Sequence, residues 1–493
     1  MEKIDKVIVT HGAALRRKHG AAGLRRIEKA LARLARADAA RGLRTKVVFL
    51  DRAGDMKDIG APVKRANDRR RTKRAIDDVF RAFGPDYLMI LGAPDVVPHL
   101  RLRNPISAAD DPDRYVESDL PYACDAPYHT AIRKFLGPTR VVGRLPDVAE
   151  KGDTAYLTRL LSAASGWRSR ARSDYEGFFV LSAESWKHST RTSARKLSGT
   201  QRGVCLSPDE GPFWTKTDLR GRSHFINCHG DTARPEFYGE NEDDEYDQPI
   251  AHLSTQLPRR IRPGTVVAAE CCYGAELYAP VKKDPMGICS IYLAENSWAF
   301  FGSTTISYGP SEGNNFADLI CVKFLQSILK GASVGRAALL ARQHYVGIGG
   351  YMEMVDLKTL AQFTLLGDPS IHPVRAAAAP KAKRPARQAR RKRLSRKGDR
   401  LAVTTASVNS QPDARPTAVV RKRLQKLGEE PKKIVSFRLH APPERVHAAK
   451  GRRLAARNTV FHAVVLEGEP QRLLIAREVN GRIERVAEAV RHS

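Results

Sequence analysis

No stretch of this 493-residue chain runs through about 18 apolar residues, so no membrane-spanning helix is predicted. The opening segment, MEKIDKVIVTHGAALRRKHG, also lacks an apolar run of secretory-leader length, and a cytoplasmic protein is the expectation. Cysteine is scarce and irregular: seven residues, an odd number, with Cys271 and Cys272 adjacent. That pattern argues against a disulfide framework and predicts reduced thiols. Paired C-x-x-C spacing is missing, so a structural zinc site is not predicted. Neither G-x-G-x-x-G nor G-x-x-x-x-G-K-[ST] occurs, which argues against a flavodoxin-like binding domain built on a phosphate loop.

Positive charge, by contrast, is plentiful and unevenly placed. The formal net charge is +30, yet residues 375–493 hold 30 Lys+Arg against 10 Asp+Glu, leaving 54 against 44 upstream. Two-thirds of the excess therefore lies in the last quarter, as in a basic appendage that meets polyanions. The run Lys381 to Lys397 carries ten basic residues in seventeen and no aromatic. It is suited to weak, salt-sensitive, sequence-blind contact with nucleic acid, or to service as a solubilising tether.

Short β-branched runs alternate with amphipathic segments. Lys6–Val9, Lys46–Leu50 and Tyr87–Gly92 read as strands; Leu24, Ile27, Leu31 and Leu34 share one helix face, and Ile76, Val79, Phe80 and Phe83 another. A second series has strands at Phe178–Leu181, His224–Asn227, Thr265–Ala269 and Trp298–Phe301, then a helix with Phe316, Leu319, Ile320 and Phe324. The pattern predicts an α/β protein with a parallel sheet covered by helices. The expected organisation is two α/β units over 1–165 and 166–374, a flexible basic linker over 375–430 and a small β-containing module over 431–493.

Reactive groups in open α/β sheets collect where strands end. Two strand ends stand out: HFIN-Cys228-His229-Gly230-Asp231, and TVVAA-Glu270-Cys271-Cys272-Tyr273-Gly274 about forty residues on. A thiol of pKa about 8.5 is mostly protonated at neutral pH, and an adjacent imidazole favours the nucleophilic thiolate. His229 is assigned as proton acceptor and then donor to the leaving amine. Gly230 permits close backbone approach, so its N–H and that of Cys272 are the candidate oxyanion donors. His11-Gly12 and His19-Gly20 repeat the dipeptide without a partner motif, and Cys124, Cys205, Cys289 and Cys321 are read as small buried hydrophobes.

His229-Gly230 followed by Glu270-Cys271-Cys272-Tyr273-Gly274 resembles the paired motifs of the caspase, legumain, metacaspase and gingipain peptidases, in which an acidic or amide residue stands two before the nucleophile. Counting from Glu270 selects Cys272. Cys271 is the alternative nucleophile, because Cys271-x-x-Gly274 is similar to the spacing in gingipains. Tyr87–Asp95 with Val97-Pro98, Ser118–Tyr122, Val142–Pro146, Phe301–Gly309 and Phe363–Ser370 narrow the likeness to gingipain-like peptidases over residues 80–374. The resemblance implies caspase-like three-layer α/β/α subdomains, the second carrying the dyad, and a cysteine endopeptidase acting on protein or peptide substrates through a thioester.

Glu184, ending the strand FFVLSAE, and Glu270 are the candidate substrate-binding carboxylates. A buried carboxylate there favours a cationic side chain before the cut bond, Arg or Lys. The acidic segment Glu240–Asp247 is a candidate cleft wall or calcium loop, but it lacks the glycine and ligand spacing of a calcium loop and reads better as a solvated surface loop. No other cofactor and no membrane partner are predicted, and oligomeric state is not legible. Two rival readings stand: a non-catalytic scaffold tethered to nucleic acid by its basic tail, and a peptide ligase in which an amine intercepts the same thioester.

Overall fold

In the computed structural model the described residues are 3–375, except 110, 245, 282–283 and 349–351, together with four later segments, 434–440, 459–466, 472–479 and 482–490. The predicted basic linker from residue 376 onward, and the run 381–397 within it, lie outside the described residues. The chain divides into two compact units, a large one holding almost all of residues 1–379 and a small one holding the C-terminal strands.

The β-branched runs of the large unit form strands and the amphipathic segments form the helices between them. The first series is β1 (Lys6–Thr10), α1 (Gly12–Ala40), β2 (Thr45–Phe49), α2 (Ala53–Met56), α3 (Arg69–Phe83), β3 (Tyr87–Leu91), the hairpin β4 (Leu100–Arg103) and β5 (Tyr115–Ser118), β6 (Val142–Leu145) and α4 (Thr154–Gly166). The second opens with β7 (Phe178–Ala183), α5 (Lys187–Ser198), β8 (Val204–Ser207) and β9 (Ser223–Asn227). A small antiparallel sheet follows: β10 (His229–Gly230), β11 (Glu236–Tyr238) and β12 (Ile250–Leu253). Then come β13 (Val266–Ala269), α6 (Ile288–Ala294), β14 (Ala299–Ser303), α7 (Phe316–Leu329), α8 (Val334–Ile348), α9 (Met354–Gln362) and β15 (Phe363–Leu366).

Ten strands make one sheet in the order β2-β1-β3-β6-β15-β14-β13-β9-β7-β8. Every described pairing in it is parallel except β14 with β15. The five strands from β2 to β15 therefore run one way and the five from β14 to β8 the other. The consequence is functional: the C-terminal ends of β9 and β13 share one sheet edge, whereas β1, with its own His11-Gly12, ends at the opposite edge. There His11 is a helix cap, its Nδ1 accepting from the Ala14 amide at 3.2 Å.

Parallel strands covered on both faces read as continuous apolar runs, and β1, β9, β13 and β14 are buried throughout. Ile27, Leu31 and Leu34 of α1 and Ile76 and Val79 of α3 are buried as their periodicity predicts, while Phe80 and Phe83 are only partly covered. Where the sheet meets its own ends, buried charge appears: Lys6, at the start of β1, is fully covered between Asp38 of α1 and Asp368 just beyond β15.

One core cluster titrates. His224 on β9 and His252 on β12 both bond the Tyr292 hydroxyl, at 2.9 and 3.1 Å. Burial holds the two imidazoles neutral, lowering His224 to about 4 and His252 to about 3. Above pH 6.5 neither folded nor unfolded state is charged there and the pair is without effect. As pH falls from 6.5 towards 4 the unfolded chain takes up protons that the folded one refuses, so stability drops. At about 1.4 kcal/mol per pKa unit, the acid-limit effect is on the order of 3 kcal/mol for His224 and about 5 kcal/mol for His252. A double His224→Gln/His252→Gln variant, followed by thermal unfolding from pH 7.5 to 4.5, is expected to show a flatter decline of Tm with acidification than the native chain.

The small unit contains the antiparallel meander β16 (Ile434–His440), β17 (Thr459–Leu466), β18 (Arg472–Val479) and β19 (Arg482–Val490), paired in sequence order. All four strands lie within the 431–493 span that the sequence reads as a small β-containing module.

Candidate active site

β9 and β13 are hydrogen-bonded neighbours in parallel register, Ala269 opposite Ile226, and the ladder continues through the Glu270 amide donating to the Ile226 carbonyl at 2.8 Å. Both chains leave the sheet together, so His229-Gly230 and Cys271-Cys272 emerge side by side. The approach is so close that a Cβ on Gly230 would lie 2.1 Å from the Cys272 carbonyl oxygen, which excludes any side chain at 230. The structure thus brings His229, Gly230 and Cys272 to one place.

The two adjacent cysteines differ sharply. Cys271 is fully buried under the sheet, its Sγ 4.0 Å from the Ile226 carbonyl, and burial pushes its thiol well up. Cys272 retains partial exposure, but protein surrounds its sulfur closely enough that burial raises that thiol too. Three features oppose the rise: the Ser307 backbone, the positive Lys358 and the backbone of Cys272 itself. The Ser307 amide donates to Sγ at 3.2 Å. After Cys272 the chain turns through a left-handed residue, Tyr273 at φ 54°, an uncommon conformation for a bulky side chain. It is held by the Tyr273 amide donating to the Thr305 carbonyl at 3.1 Å and its hydroxyl donating to Asp113 at 2.8 Å. Beyond the turn the amides of Gly274 and Ala275 are also taken, by the Cys271 and Ser303 carbonyls.

Asp113 lies in the loop between β4 and β5, far away in sequence. It also accepts from the Ile306 amide and from Lys358, each at 2.8 Å, and Asp111 beside it accepts from Lys358 and Tyr308. Burial opposes the charge on Asp111, but the hydrogen bonds from Lys358 and Tyr308 outweigh it and hold the carboxyl below its usual range. Lys358 is buried within this network, close enough to Cys272 for its charge to favour the thiolate.

His229 Nε2 bonds the Glu240 carboxylate, and Trp186 packs on the ring with centroids 4.4 Å apart. Tyr238 on β11 pairs with His229 on β10, so the hairpin delivers Glu240, two residues on, to the imidazole. Among the described residues the imidazole and the Cys272 thiol make no hydrogen bond to each other; their partners are Glu240 and Ser307. Catalytic hydrogen bonds often form only once substrate is bound.

Of the two candidate substrate carboxylates, Glu184 is half-buried in a single turn after β7. It faces Lys187 at 3.6 Å and accepts from the Glu242 amide at 3.5 Å. Glu270 is 5 % exposed and points towards α7, and neither carboxylate oxygen has a hydrogen-bond partner among the described residues. Burial, with the Asp318 carboxyl beside it, raises its carboxyl well above the usual range. Asp318 itself accepts from Ser189 Oγ at 2.7 Å.

The acidic segment 240–247 contributes Glu240 to His229 and Glu242 to Lys187. No grouping of three metal-ligating side chains occurs among the described residues. Cys124, Cys289 and Cys321 are buried, Cys205 is partly exposed, and all seven cysteines are free. Sequence reasoning missed Glu240, Trp186, Ser307, Asp113 and Lys358. Their one common signal was position near a strand end or in a charged loop, which many residues share.

No family model matches the chain, and no curated protein does. A structure described as that of a protease overlaps 99 % of this chain and 97 % of its own at TM-score 0.49 and 12 % identity. The complex of Porphyromonas gingivalis RgpB pro- and mature domains overlaps 98 % and 99 % at TM-score 0.47, also at 12 % identity. The Saccharomyces cerevisiae separase-securin complex is matched over 48 % of this chain but 14 % of its own, at TM-score 0.29 and 14 % identity. Likeness this loose does not bear on the chemistry of the site, which rests on the geometry above.

Proposed function

We propose that the protein is a cysteine endopeptidase with Cys272 as nucleophile and His229 as its proton-transfer partner. The observation that carries this is the placement of Gly230 against the Cys272 carbonyl, which sets imidazole and thiol at one edge of the sheet. In the proposed reaction His229 takes the thiol proton, Cys272 Sγ attacks the scissile carbonyl, and the oxyanion is received by the amides of Cys272 and Gly230. The protonated imidazole then gives its proton to the leaving amine. A water deprotonated by His229 next attacks the thioester and releases the acid product and the free thiol.

Glu240 is proposed as the orienting carboxylate, since it bonds the ring nitrogen away from the one that must reach sulfur. Its charge would stabilise the imidazolium that forms. Glu240→Gln is expected to lower kcat on the order of 100-fold with KM little changed, a size within the usual range for proton-transfer catalysis. A rise in KM with kcat unchanged would instead point to a binding role.

A cationic side chain before the cut bond is favoured by the buried, unpartnered Glu270 carboxyl two residues from the nucleophile, with Asp318 beside it. Burial beside Asp318 favours the protonated Glu270 carboxyl, so an arriving Arg or Lys would have to draw that proton off to pair with it. Glu184, already engaged by Lys187, is the weaker candidate for this role. Short reporters ending in Arg, Lys, Asp or Asn test the assignment. Turnover confined to Arg and Lys, and lost on Glu270→Gln, supports it; preference for Asp or Asn removes it. Hydrolysis is distinguished from ligation by product analysis with and without an added peptide amine.

A further inference from the structure

Residues 1–374 have a net charge of +10, and two helices account for all of it. Helix α1 carries eight basic against two acidic residues, +6, and α3 six against two, +4. On α3 five of the six cations are occupied at home, all but Arg74: Arg69 donates to the His99 carbonyl at 3.0 Å, Arg71 faces Asp68, Lys73 holds Asp77 at 2.5 Å, Arg81 holds Asp78, and Arg70 lies over the Tyr128 ring. On α1 only Lys18 is so engaged, by Asp95 and Asp147.

Beyond the break in α1 at Gly20, five cations stand without partners: Arg25, Arg26, Lys29, Arg33 and Arg36, all exposed. None has an ion-pair partner among the described residues. At about 100° per residue they fall within an arc of about 100°, opposite the face that buries Ile27, Leu31 and Leu34. Arg25 to Arg36 covers about 16 Å of helix, and after the adjacent Arg25 and Arg26 the steps are about 4.5 to 6 Å. Spaced three and four apart, these like charges repel one another, so the row weakens the isolated helix. The one acidic residue nearby, Glu28, is taken by Arg52.

We propose that this face of α1 is a binding surface for the phosphate backbone of nucleic acid. A straight, unpaired row of guanidinium and ammonium groups on a rigid helix matches a linear polyanion, and the phosphates would relieve the repulsion within it. The row contains no aromatic for stacking on bases, so recognition is of charge and not of sequence. A bilayer fits less well, because no large exposed apolar side chain lies on α1 to enter one. The surface is independent of the peptidase chemistry and distinct in sequence from the basic run at 381–397.

The test uses the full chain and a mixed-sequence 30-base-pair duplex DNA, with a single-stranded RNA of the same length as a second arm. Binding is measured from about 50 to 300 mM salt for the native protein, an α1 variant (Arg25→Gln, Lys29→Gln, Arg33→Gln, Arg36→Gln) and a tail variant (Lys381→Gln, Lys383→Gln, Arg384→Gln, Arg387→Gln). The α1 variant is expected to bind at least about tenfold more weakly and to lose about 2 to 4 from the slope of log K against log salt. Its Tm and its peptidase activity should match those of the native chain. The tail variant should keep the α1 share of the slope. A double variant, Arg25→Gln with Arg36→Gln, should lose about half as much slope, which guards against misfolding of the fourfold change. Native affinity and slope in the α1 variant would overturn the proposal. So would a loss confined to phosphatidylserine vesicles while DNA and RNA binding persist.

Discussion

Replacement of Cys272 by alanine is expected to lower kcat/KM on Arg and Lys reporters by at least about 10⁴-fold, the order of loss seen when a catalytic nucleophile is removed. Folding should be almost unaffected, since the residue is partly exposed and its sulfur bonds only the Ser307 backbone. Cys271→Ala is the contrasting variant. That thiol is fully buried among apolar neighbours, so its loss should cost about 1 kcal/mol or somewhat more in stability and leave turnover within a few-fold of native. Reporter assays and urea unfolding on both proteins separate the cases. Inactivity of Cys271→Ala in a well-folded protein would transfer the nucleophile to the neighbouring position. Full retention of reporter turnover by Cys272→Ala would remove Cys272 as the nucleophile, and absence of turnover by the native protein would favour the non-catalytic reading.

The largest expected effect on stability lies far from this site. Lys6 Nζ bonds Asp38 at 3.0 Å and also Asp368, and all three side chains are fully buried. The carboxylates have further support: Asp38 accepts from Thr45 Oγ1 at 2.8 Å, and Asp368 from Ser370 Oγ at 2.7 Å. Two opposing effects set the size of the change. Forming the cluster costs the desolvation of three ions, so its net worth against an apolar core is small. Removing Lys6 alone leaves buried Asp368 without a cation and Asp38 with only Arg41, at 3.3 Å, which costs about 3–5 kcal/mol. Lys6→Ala is therefore expected to bring the urea midpoint down sharply with an unchanged m-value. Lys6→Met with Asp38→Asn and Asp368→Asn should recover much of that loss. A single Lys6→Ala change costing under about 1 kcal/mol would mean that water reaches the cluster after substitution.

The physical role of this cluster explains part of the Gly367-Asp368-Pro369-Ser370 motif. Asp368 follows β15, the strand through which the two oppositely directed halves of the sheet meet, and its carboxylate closes onto the first residue of β1. Gly367, at φ 138°, makes the turn at a place where a Cβ would lie 2.5 Å from the Trp298 carbonyl oxygen. A motif that reads as a generic turn in the sequence is a joint between the halves in the fold.

Most of the strands and helices were legible because their signals are local. Lys6–Val9, Tyr87–Gly92 and Thr265–Ala269 are β-branched or apolar runs of strand length, and Ile27, Leu31 and Leu34 repeat at helical spacing, so periodicity alone placed them. His229 and Cys272 could be named together because each closes such a run. Glu240 could not, for it reaches the imidazole only through the β10–β11 pairing, and an acidic loop offers no reason to prefer one carboxylate over its neighbours. Glu270 was read as a residue able to reach the substrate pocket; its burial against Asp318 depends on where α7 packs.

Element type, the pairing of a histidine-glycine strand end with a cysteine strand end, and the amount of charge on α1 were all present in the order of residues, since each depends on neighbours a few positions apart. Which cysteine is buried, which carboxylate meets His229, which lysine lies behind the thiol and which cations are left unpaired were settled by contacts between segments tens to hundreds of residues apart. Those contacts follow from strand order and direction in the sheet. A residue's chemistry at close range depends on what is packed against it, and linear spacing carries little record of that.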